Sequence, residues 1–164
     1  MDPRLTPANE IVACSTLRGK IKHSNFVEGK NYEINVPFVD LLATPDGKRN
    51  RQLIYGSKVK YFGENGGWAF VQNTYDNYVG YVPQNTIVPE TKKTHIVSAT
   101  LTQVFLEPNI TSRHRGPLPL ATRVSGQRVE KRFEENNVCW LSDSTFTITT
   151  DIHQHTVAVS KPIR

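Results

Sequence analysis

Two cysteines and five histidines are the residues of this 164-residue chain that could support covalent chemistry. A thiolate activated by a neighbouring imidazole is a common pair for nucleophilic catalysis. The cysteines are Cys14 and Cys139, and the isolated histidines are His23, His95 and His114. A tryptophan follows the second cysteine directly, which favours a buried and inert thiol over a nucleophile. We therefore expect two free thiols in a reducing compartment and no catalytic residue in this chain.

The only other pattern with metal-binding potential lies near the carboxyl end. His153 and His155 would place two imidazoles on one face of an extended segment, which suits a metal pair. No third or fourth ligand is nearby in sequence, so we interpret the segment as a solvated tail. The sequence predicts neither a metal site nor a cofactor.

Aromatic residues between Gln52 and Pro83 are the candidates for ligand binding. Trp68 supplies a large contact area with few rotatable bonds, but its position directly after a glycine pair favours a place in the barrel core. Tyr78 flanks a turn, and a binding role and an exposed packing role remain open for it. Tyr61 and Tyr81 are interpreted as core or rim residues.

These candidates need a β-structure to position them. Strict alternation marks strands on both sides of Glu64-Asn65-Gly66-Gly67, a strong hairpin turn because Asn and Gly tolerate the left-handed conformation. Thr44-Pro45-Asp46-Gly47 predicts another turn, and the polar segment 48–51 predicts a loop. A 3₁₀ turn is expected from Pro83 to Asn85. The spacing of short strands and turns favours a small barrel.

The polar segment 89–94 is interpreted as a linker. After it, a similar order of predicted strands and turns repeats weakly, with a period of about 60 residues. The predicted fold is all-β, with two small barrels in tandem behind an N-terminal arm. The predicted boundaries are 1–33 for the arm, 34–90 and 91–150 for the barrels, and 151–164 for a tail. The arm is expected to hold a short helix within Pro7 to Leu17.

The net charge and the hydropathy pattern bear on whether this chain binds nucleic acid or a membrane. The net charge is +5, and ten basic against six acidic residues place most of the excess in residues 92–164. Nucleic acid must be considered for such a chain, but no recognition motif accompanies the charge, so we expect solvated faces. No leader or membrane-spanning run is evident, which predicts no membrane association and a cytoplasmic location. The basic residues concerned are Arg113, Arg115, Arg123, Arg128, Lys131 and Arg132.

Several short runs together resemble the N-terminal half of NlpC/P60 cell-wall peptidases of the γ-D-glutamyl-L-diamino acid endopeptidase (dipeptidyl-peptidase VI) type. They are Asp2-Pro3-Arg4-Leu5, Leu17-Arg18-Gly19, Phe26-Val27-Glu28-Gly29, Gln52-Leu53-Ile54-Tyr55-Gly56, Gly66-Gly67-Trp68 and Tyr78-Val79-Gly80-Tyr81-Val82. The resemblance implies two bacterial SH3-like barrels ahead of a papain-like catalytic domain. It is strongest over residues 34–90 and weakest over 135–164.

The resemblance also implies which residues bind substrate and that the family's catalytic motif is missing from this sequence. The family's cysteine lies in Asp-Cys-Ser-Gly, which neither cysteine here matches. The chain is therefore expected to be the non-catalytic, substrate-recognition half of a murein-peptide cysteine peptidase, with a C-terminal catalytic domain and a stem peptide as partners. In the family, a tyrosine and an acidic residue of the first barrel help to hold the peptide's free amino end. These positions correspond to Tyr78 and Asn50, so an amide replaces the acid, and Gln52 and Trp68 complete the expected ligand-binding set.

A second interpretation stays open. The barrels would then form a stand-alone interaction module that binds a protein partner or nucleic acid through the basic second half.

Overall fold

A computed structural model describes residues 2–97, 100–105, 113–124, 127–129, 132–135, 139–142 and 146–148. Strands make up 52% of the structure and no helix within the described residues reaches seven residues, which confirms the predicted all-β class. No helix in the described ranges is long and apolar enough to cross a bilayer. The chain divides into two compact units. The first comprises residues 1–53 and 57–90, and the second comprises 54–56 and 91–164. The domain boundaries given above remain predictions.

The first unit begins with the arm and continues into one large sheet. The arm contains β1 (Ala13–Cys14), a 3₁₀ turn (Ser15–Leu17) and β2 (Phe26–Val27). The sheet contains β3 (Lys30–Ile34), β4 (Phe38–Leu42), β5 (Arg49–Ile54), β6 (Lys58–Asn65), β7 (Trp68–Asn73), β8 (Val79–Pro83) and β9 (Ile87–Pro89). A second 3₁₀ turn, Gln84–Thr86, joins the last two strands. The seven strands lie in the order β5-β4-β8-β7-β6-β3-β9.

The main core of the first unit lies on one face of this sheet. Strand β7 shows why, because Ala69 and Val71 are buried on that face while Phe70 is buried on the other. The sheet therefore carries apolar residues on both faces. The core is formed by Ile34, Leu41, Leu53, Val59, Ala69, Val71, Val82 and Ile87.

A bulge in β6 turns one aromatic ring towards the arm. The register with β7 shifts between Tyr61 and Gly63, and the bulged residue, Phe62, is buried against Phe70. Val12 of the arm and Val79 of β8 complete this second, smaller cluster. The arm is thus packed on the sheet by its own apolar residues.

The helix predicted within Pro7 to Leu17 is wrong, because backbone groups there bond elsewhere. Asn9 Oδ1 accepts the backbone N–H groups of Ile11 and Val12, at 2.9 and 2.8 Å. The N–H groups of Ala13 and Cys14 donate to Asn25 and Pro7. Only the 3₁₀ turn Ser15–Leu17 remains helical. Asparagine side chains compete with helix formation in this way.

The predicted turns are confirmed. Gly66 and Gly67 have φ of +58° and +83°, as a two-residue hairpin between paired Asn65 and Trp68 requires. The N–H of Gly47 donates to the carbonyl of Thr44 at 2.9 Å. The loop predicted for residues 48–51 is wrong, because β5 begins at Arg49. An edge strand with its side chains in water tolerates polar residues.

The second unit consists of two smaller sheets in the described residues. One has the order β13-β10-β17 and the other β12-β11-β16-β15-β14. Tyr55, Val97, Val104, Leu118 and Val124 form its buried core. The strands are β10 (His95–Val97), β11 (Leu101–Phe105), β12 (His114–Pro119), β13 (Arg123–Val124), β14 (Gln127–Val129), β15 (Arg132–Glu135), β16 (Cys139–Ser142) and β17 (Phe146–Ile148). The predicted tail lies outside the described residues.

We expect the second unit to lose stability in mild acid because of His95. Burial lowers the pKa of this imidazole below its ordinary value of 6.5. Below that pH the unfolded chain takes up a proton that the folded unit resists, so the free energy of unfolding falls as the pH drops. Thermal unfolding between about pH 7.5 and about pH 5.5 tests this. The His95→Gln variant should show a smaller loss of melting temperature than the unsubstituted chain, and equal losses would contradict the role of His95.

Candidate functional site

A shallow, open groove of about 400 Å³ in the described first unit is lined by two of the predicted site residues, Gln52 and Trp68. Strand β4 supplies one side, β5 contributes Gln52, and Trp68 and Pro83 come from the β7 and β8 ends. The lining residues are Phe38, Val39, Asp40, Leu42, Gln52, Trp68 and Pro83. Apolar walls with few polar groups are typical of ligand sites.

The polar centre of the groove is the carboxylate of Asp40. Its Oδ1 accepts a hydrogen bond from Gln52 Nε2 at 3.0 Å, which fixes the orientation of both side chains. Arg49 Nη1 lies 3.5 Å from the same oxygen, and its side chain is 60% exposed. Such a long surface ion pair is weak. A ligand cation can therefore compete with Arg49 for the carboxylate.

Two aromatic side chains line the same groove as this carboxylate. Phe38 is 56% exposed, so its ring is accessible to a ligand. Trp68 is half-buried and belongs to neither core cluster, so the core position favoured for it is wrong. It also borders a second pocket of about 100 Å³ beside the arm. A carboxylate and aromatic side chains in one groove can attract an ammonium group by charge and by cation–π contact.

Tyr78 lies in a different cluster, which we call the tyrosine corner: Arg51, Asp76 and Tyr78. The Arg51 Cζ atom lies 3.6 Å from the centre of the Tyr78 ring. Arg51 Nε donates to Asp76 Oδ2 at 3.1 Å, and Asp76 Oδ1 accepts the N–H of Tyr78 at 3.2 Å. The carboxylate of Asp76 therefore holds both the guanidinium and the turn that carries the ring. Stacked and bonded side chains of this kind are preorganised.

Asn50 directly precedes Arg51 and Gln52 in the sequence. It is not among the residues that line the groove. It is half-buried in β5, and its backbone carbonyl accepts a hydrogen bond from Arg51 Nη1 at 3.1 Å. Successive residues of a strand point to opposite faces. Gln52 consequently faces the groove while Arg51 covers the tyrosine corner.

Part of the first unit matches a known family. Residues 41–87 match the bacterial dipeptidyl-peptidase SH3 domain. This confirms the predicted resemblance of the chain to the SH3-like region of NlpC/P60 proteins.

One solved structure shares the fold. An NlpC/P60 family protein from Bacillus cereus is 16% identical, with a TM-score of 0.57 over 73% of this chain and 56% of that protein. The chain thus spans little more than half the length of that relative. NlpC2 and NlpC1 from Trichomonas vaginalis are both 12% identical, with TM-scores of 0.33 and 0.34. They cover 75% and 81% of this chain and 49% and 50% of their own. No curated protein sequence matches.

Two of the predicted ligand-binding residues line the groove, and its acidic residue, Asp40, was not among those predicted. Gln52 and Trp68 line the groove together, whereas Tyr78 belongs to the tyrosine corner. Asp40 was missed, and it lies one residue before the matched segment. The sequence signal that could have identified Asp40 is its position between Phe38 and Leu42, on the face of β4 opposite the buried Leu41.

The remaining candidates contribute no site in the described part of the chain. Cys14 is a free thiol, half-buried, and Thr16 Oγ1 donates to its sulfur at 3.2 Å. The side chain of Cys139, and His153 and His155, lie outside the described residues. Most of the basic side chains between Arg113 and Arg132 also lie outside them.

Proposed function

We propose that this chain is the non-catalytic, substrate-recognition half of a murein-peptide cysteine peptidase of the NlpC/P60 type. A catalytic domain joined to its carboxyl end would hydrolyse the bond between γ-D-glutamate and a diamino acid. The match of residues 41–87 and the NlpC/P60 fold support this assignment. A cytoplasmic role in recycling murein peptides is part of the proposal.

The observation that carries the proposal is one groove lined by the acidic residue Asp40 and by the aromatic residues Phe38 and Trp68. A stem peptide released from murein has a free ammonium group at one end, and the groove offers that group a charged acceptor and two π faces. Gln52 keeps Asp40 in place and offers its carbonyl oxygen as a further acceptor. In this proposal Asp40 supplies the charge that Asn50 lacks.

The remaining predicted residues fit the path of the peptide. Trp68 stacks on the first residue, and Gln52 and Asn50 face the peptide along β5. Tyr78 lies at the other side of the same strand, beside Arg51. A peptide anchored at Asp40 and extended past the edge strand would reach both sides of β5.

Calorimetric titration of the 164-residue chain with the tripeptide L-Ala-γ-D-Glu-L-Lys tests the proposal. The free-amine peptide should bind about tenfold more tightly than its N-acetylated form, because acetylation removes one charge-assisted hydrogen bond. Equal affinity for the two forms would contradict recognition of the amino end. Binding of neither form would remove the peptide-recognition function.

One observation favours the alternative of a protein-binding module. Tyr75 is 95% exposed at the tip of the turn between β7 and β8. The side chains of Asn73 and Asp76 hold that turn, with a 2.7 Å hydrogen bond between them. A rigidly presented tyrosine suits a protein interface. The same titration separates the two functions, because a stand-alone module has no preference for a free-amine stem peptide.

A further inference from the structure

The pocket of about 100 Å³ between the arm and the sheet, which we call the arm pocket, takes no part in the proposed peptide recognition. Val12 and Val27 of the arm line it, as do Phe62 of β6 and Phe70 of β7. The rings of Phe62 and Phe70 are buried, and their centres lie 5.8 Å apart. Val12 is buried in the same apolar cluster. The floor of the arm pocket is therefore apolar and held in place by packing.

The polar side chains that line the arm pocket keep unused hydrogen-bonding capacity. Asn9 Nδ2 donates to the hydroxyl oxygen of Tyr81 at 3.0 Å, which leaves the hydroxyl hydrogen of Tyr81 without an acceptor in the described part of the chain. Asn25 Nδ2 donates to the carbonyl of Ile11 at 3.1 Å, and its Oδ1 accepts no bond from a described residue. The side-chain amide of Asn65 makes no hydrogen bond within the described ranges. The pocket therefore offers both donors and acceptors to a ligand.

The strand register directs the one charged side chain of the lining residues away from the arm pocket. Residues directly opposite each other in an antiparallel pair share a face of the sheet. Glu64 lies opposite Ala69, which is buried in the main core on the other face, whereas Gly63 lies opposite Phe70 and faces the pocket. A charged ligand would lose its hydration in this pocket without gaining a countercharge, so the pocket favours an uncharged ligand.

We propose that the arm pocket binds a small uncharged acetamido group. A water molecule occupies about 30 Å³ in the liquid, so the pocket has room for roughly three waters or one group of that size. The methyl of the acetamido group lies on the apolar floor, and its N–H and C=O pair with the unused polar groups. Trp68 also lines the pocket and is half-buried, so part of its side chain contacts the molecule that carries the group. This proposal goes beyond the proposed peptide recognition and does not rest on it.

An NMR titration of the full 164-residue chain with acetamide tests the proposal. The methyl resonances of Val12 and Val27 and the side-chain amide of Asn65 should shift, and the side-chain amide of Gln52 in the groove should stay in place. Acetate and methylammonium are of similar size but carry a charge, so they should leave the two valines unmoved. Shifts of equal size with either ion, or no shift with acetamide, would overturn the proposal.

Two larger uncharged ligands identify the molecule that carries the acetamido group. N-acetyl-D-glucosamine presents the group on a sugar, and N-acetyl-L-alanine amide presents it on an amino acid. The ligand that shifts Val12 and Val27 at a lower concentration than acetamide does identifies the carrier. If neither ligand shifts these valines, the assignment of an acetamido group is refuted.

Two variants test the pocket itself. Gly63→Ala places a methyl group in the pocket, and the new Cβ would meet only Val12 Cγ1, at 4.0 Å, so the fold is preserved. Asn65→Thr removes the amide and keeps a residue suited to a strand. Each should reduce the acetamide-induced shifts at a fixed, subsaturating concentration by about fivefold. Asn31→Thr, on an exposed asparagine of β3 that does not line the pocket, is the matched control and should change nothing. Unchanged shifts in both test variants would refute the site.

The arm pocket and the peptide groove fail separately. If acetamide does not bind but the chain still prefers the free-amine tripeptide, only the arm pocket is wrong. The acetylated tripeptide itself carries an acetamido group, so its affinity is also measured in Gly63→Ala, where the arm pocket is filled. If acetamide binds to the unsubstituted chain but Gly63→Ala shows no preference for the free amine, the groove is wrong and the arm pocket stands.

Discussion

Replacement of Asp40 by Asn should abolish the preference of the chain for a free-amine stem peptide. The variant keeps the shape and the hydrogen bond to Gln52 but removes the charge that attracts the ammonium group. We expect affinity for the free-amine tripeptide to fall by about tenfold to a hundredfold, the range for one charge-assisted hydrogen bond. Affinity for the acetylated peptide should change little. Calorimetry on both peptides measures this directly.

Two further variants control this result. Asp46→Asn removes a carboxylate from an exposed turn where φ is +54°, a conformation that Asn tolerates, and should leave both affinities unchanged. Arg49→Ala removes the guanidinium that now lies near Asp40 and should tighten binding of the free-amine peptide. If Asp40→Asn and Asp46→Asn gave the same result, the groove would not be the amine site.

Substitution of Gly80 by Ala should destabilise the first unit by about 3 kcal/mol, the upper end of the usual cost of overpacking. A Cβ atom at this position would lie 2.3 Å from the carbonyl oxygen of Leu42 and 3.0 Å from Leu41 Cγ. The first contact is with backbone that pairs β4 with β8, so it cannot be relieved by a rotamer change. Chemical denaturation of the unsubstituted and variant chains measures the loss.

Gly63→Ala is the matched control for this prediction. An added Cβ there meets only Val12 Cγ1, at 4.0 Å, and its φ is ordinary. We expect a change of less than about 1 kcal/mol. Equal losses for the two variants would show that close approach of β4 to β8 is not the reason for the glycine.

The parts of the fold that follow from local chemistry were predictable. The glycine pair at 66–67 requires positive φ, and the alternation from Trp68 to Gln72 requires a strand with two distinct faces. These signals depend only on neighbouring residues. They set the hairpin, its register and the barrel class.

Features set by distant partners were not predictable. The arm lacks its predicted helix partly because Asn25, on a later segment of the arm, supplies the acceptor for Ala13. Strand β5 was taken for a loop because an edge strand needs no apolar pattern. Tyr55 illustrates the same limit, since it packs with Val97 and Leu118 of the second unit rather than with its sequence neighbours.

The same distinction between neighbouring and distant partners applies to the candidate site. Trp68 and Gln52 stand out by residue type and position, so the sequence identified them. Asp40 became a candidate only when β4 and β5 placed its carboxylate 3.0 Å from Gln52 Nε2. The stacking of Arg51 on the Tyr78 ring joins residues far apart in the sequence, which sequence spacing does not reveal.

An NMR titration of the isotopically labelled chain with the free-amine tripeptide L-Ala-γ-D-Glu-L-Lys tests the central claim most directly. The claim predicts the largest shifts at the indole N–H of Trp68 and the side-chain amide of Gln52, with smaller shifts along β5. The acetylated peptide should weaken those shifts. Saturable binding that leaves Trp68 and Gln52 unmoved, or no binding at all, would contradict it.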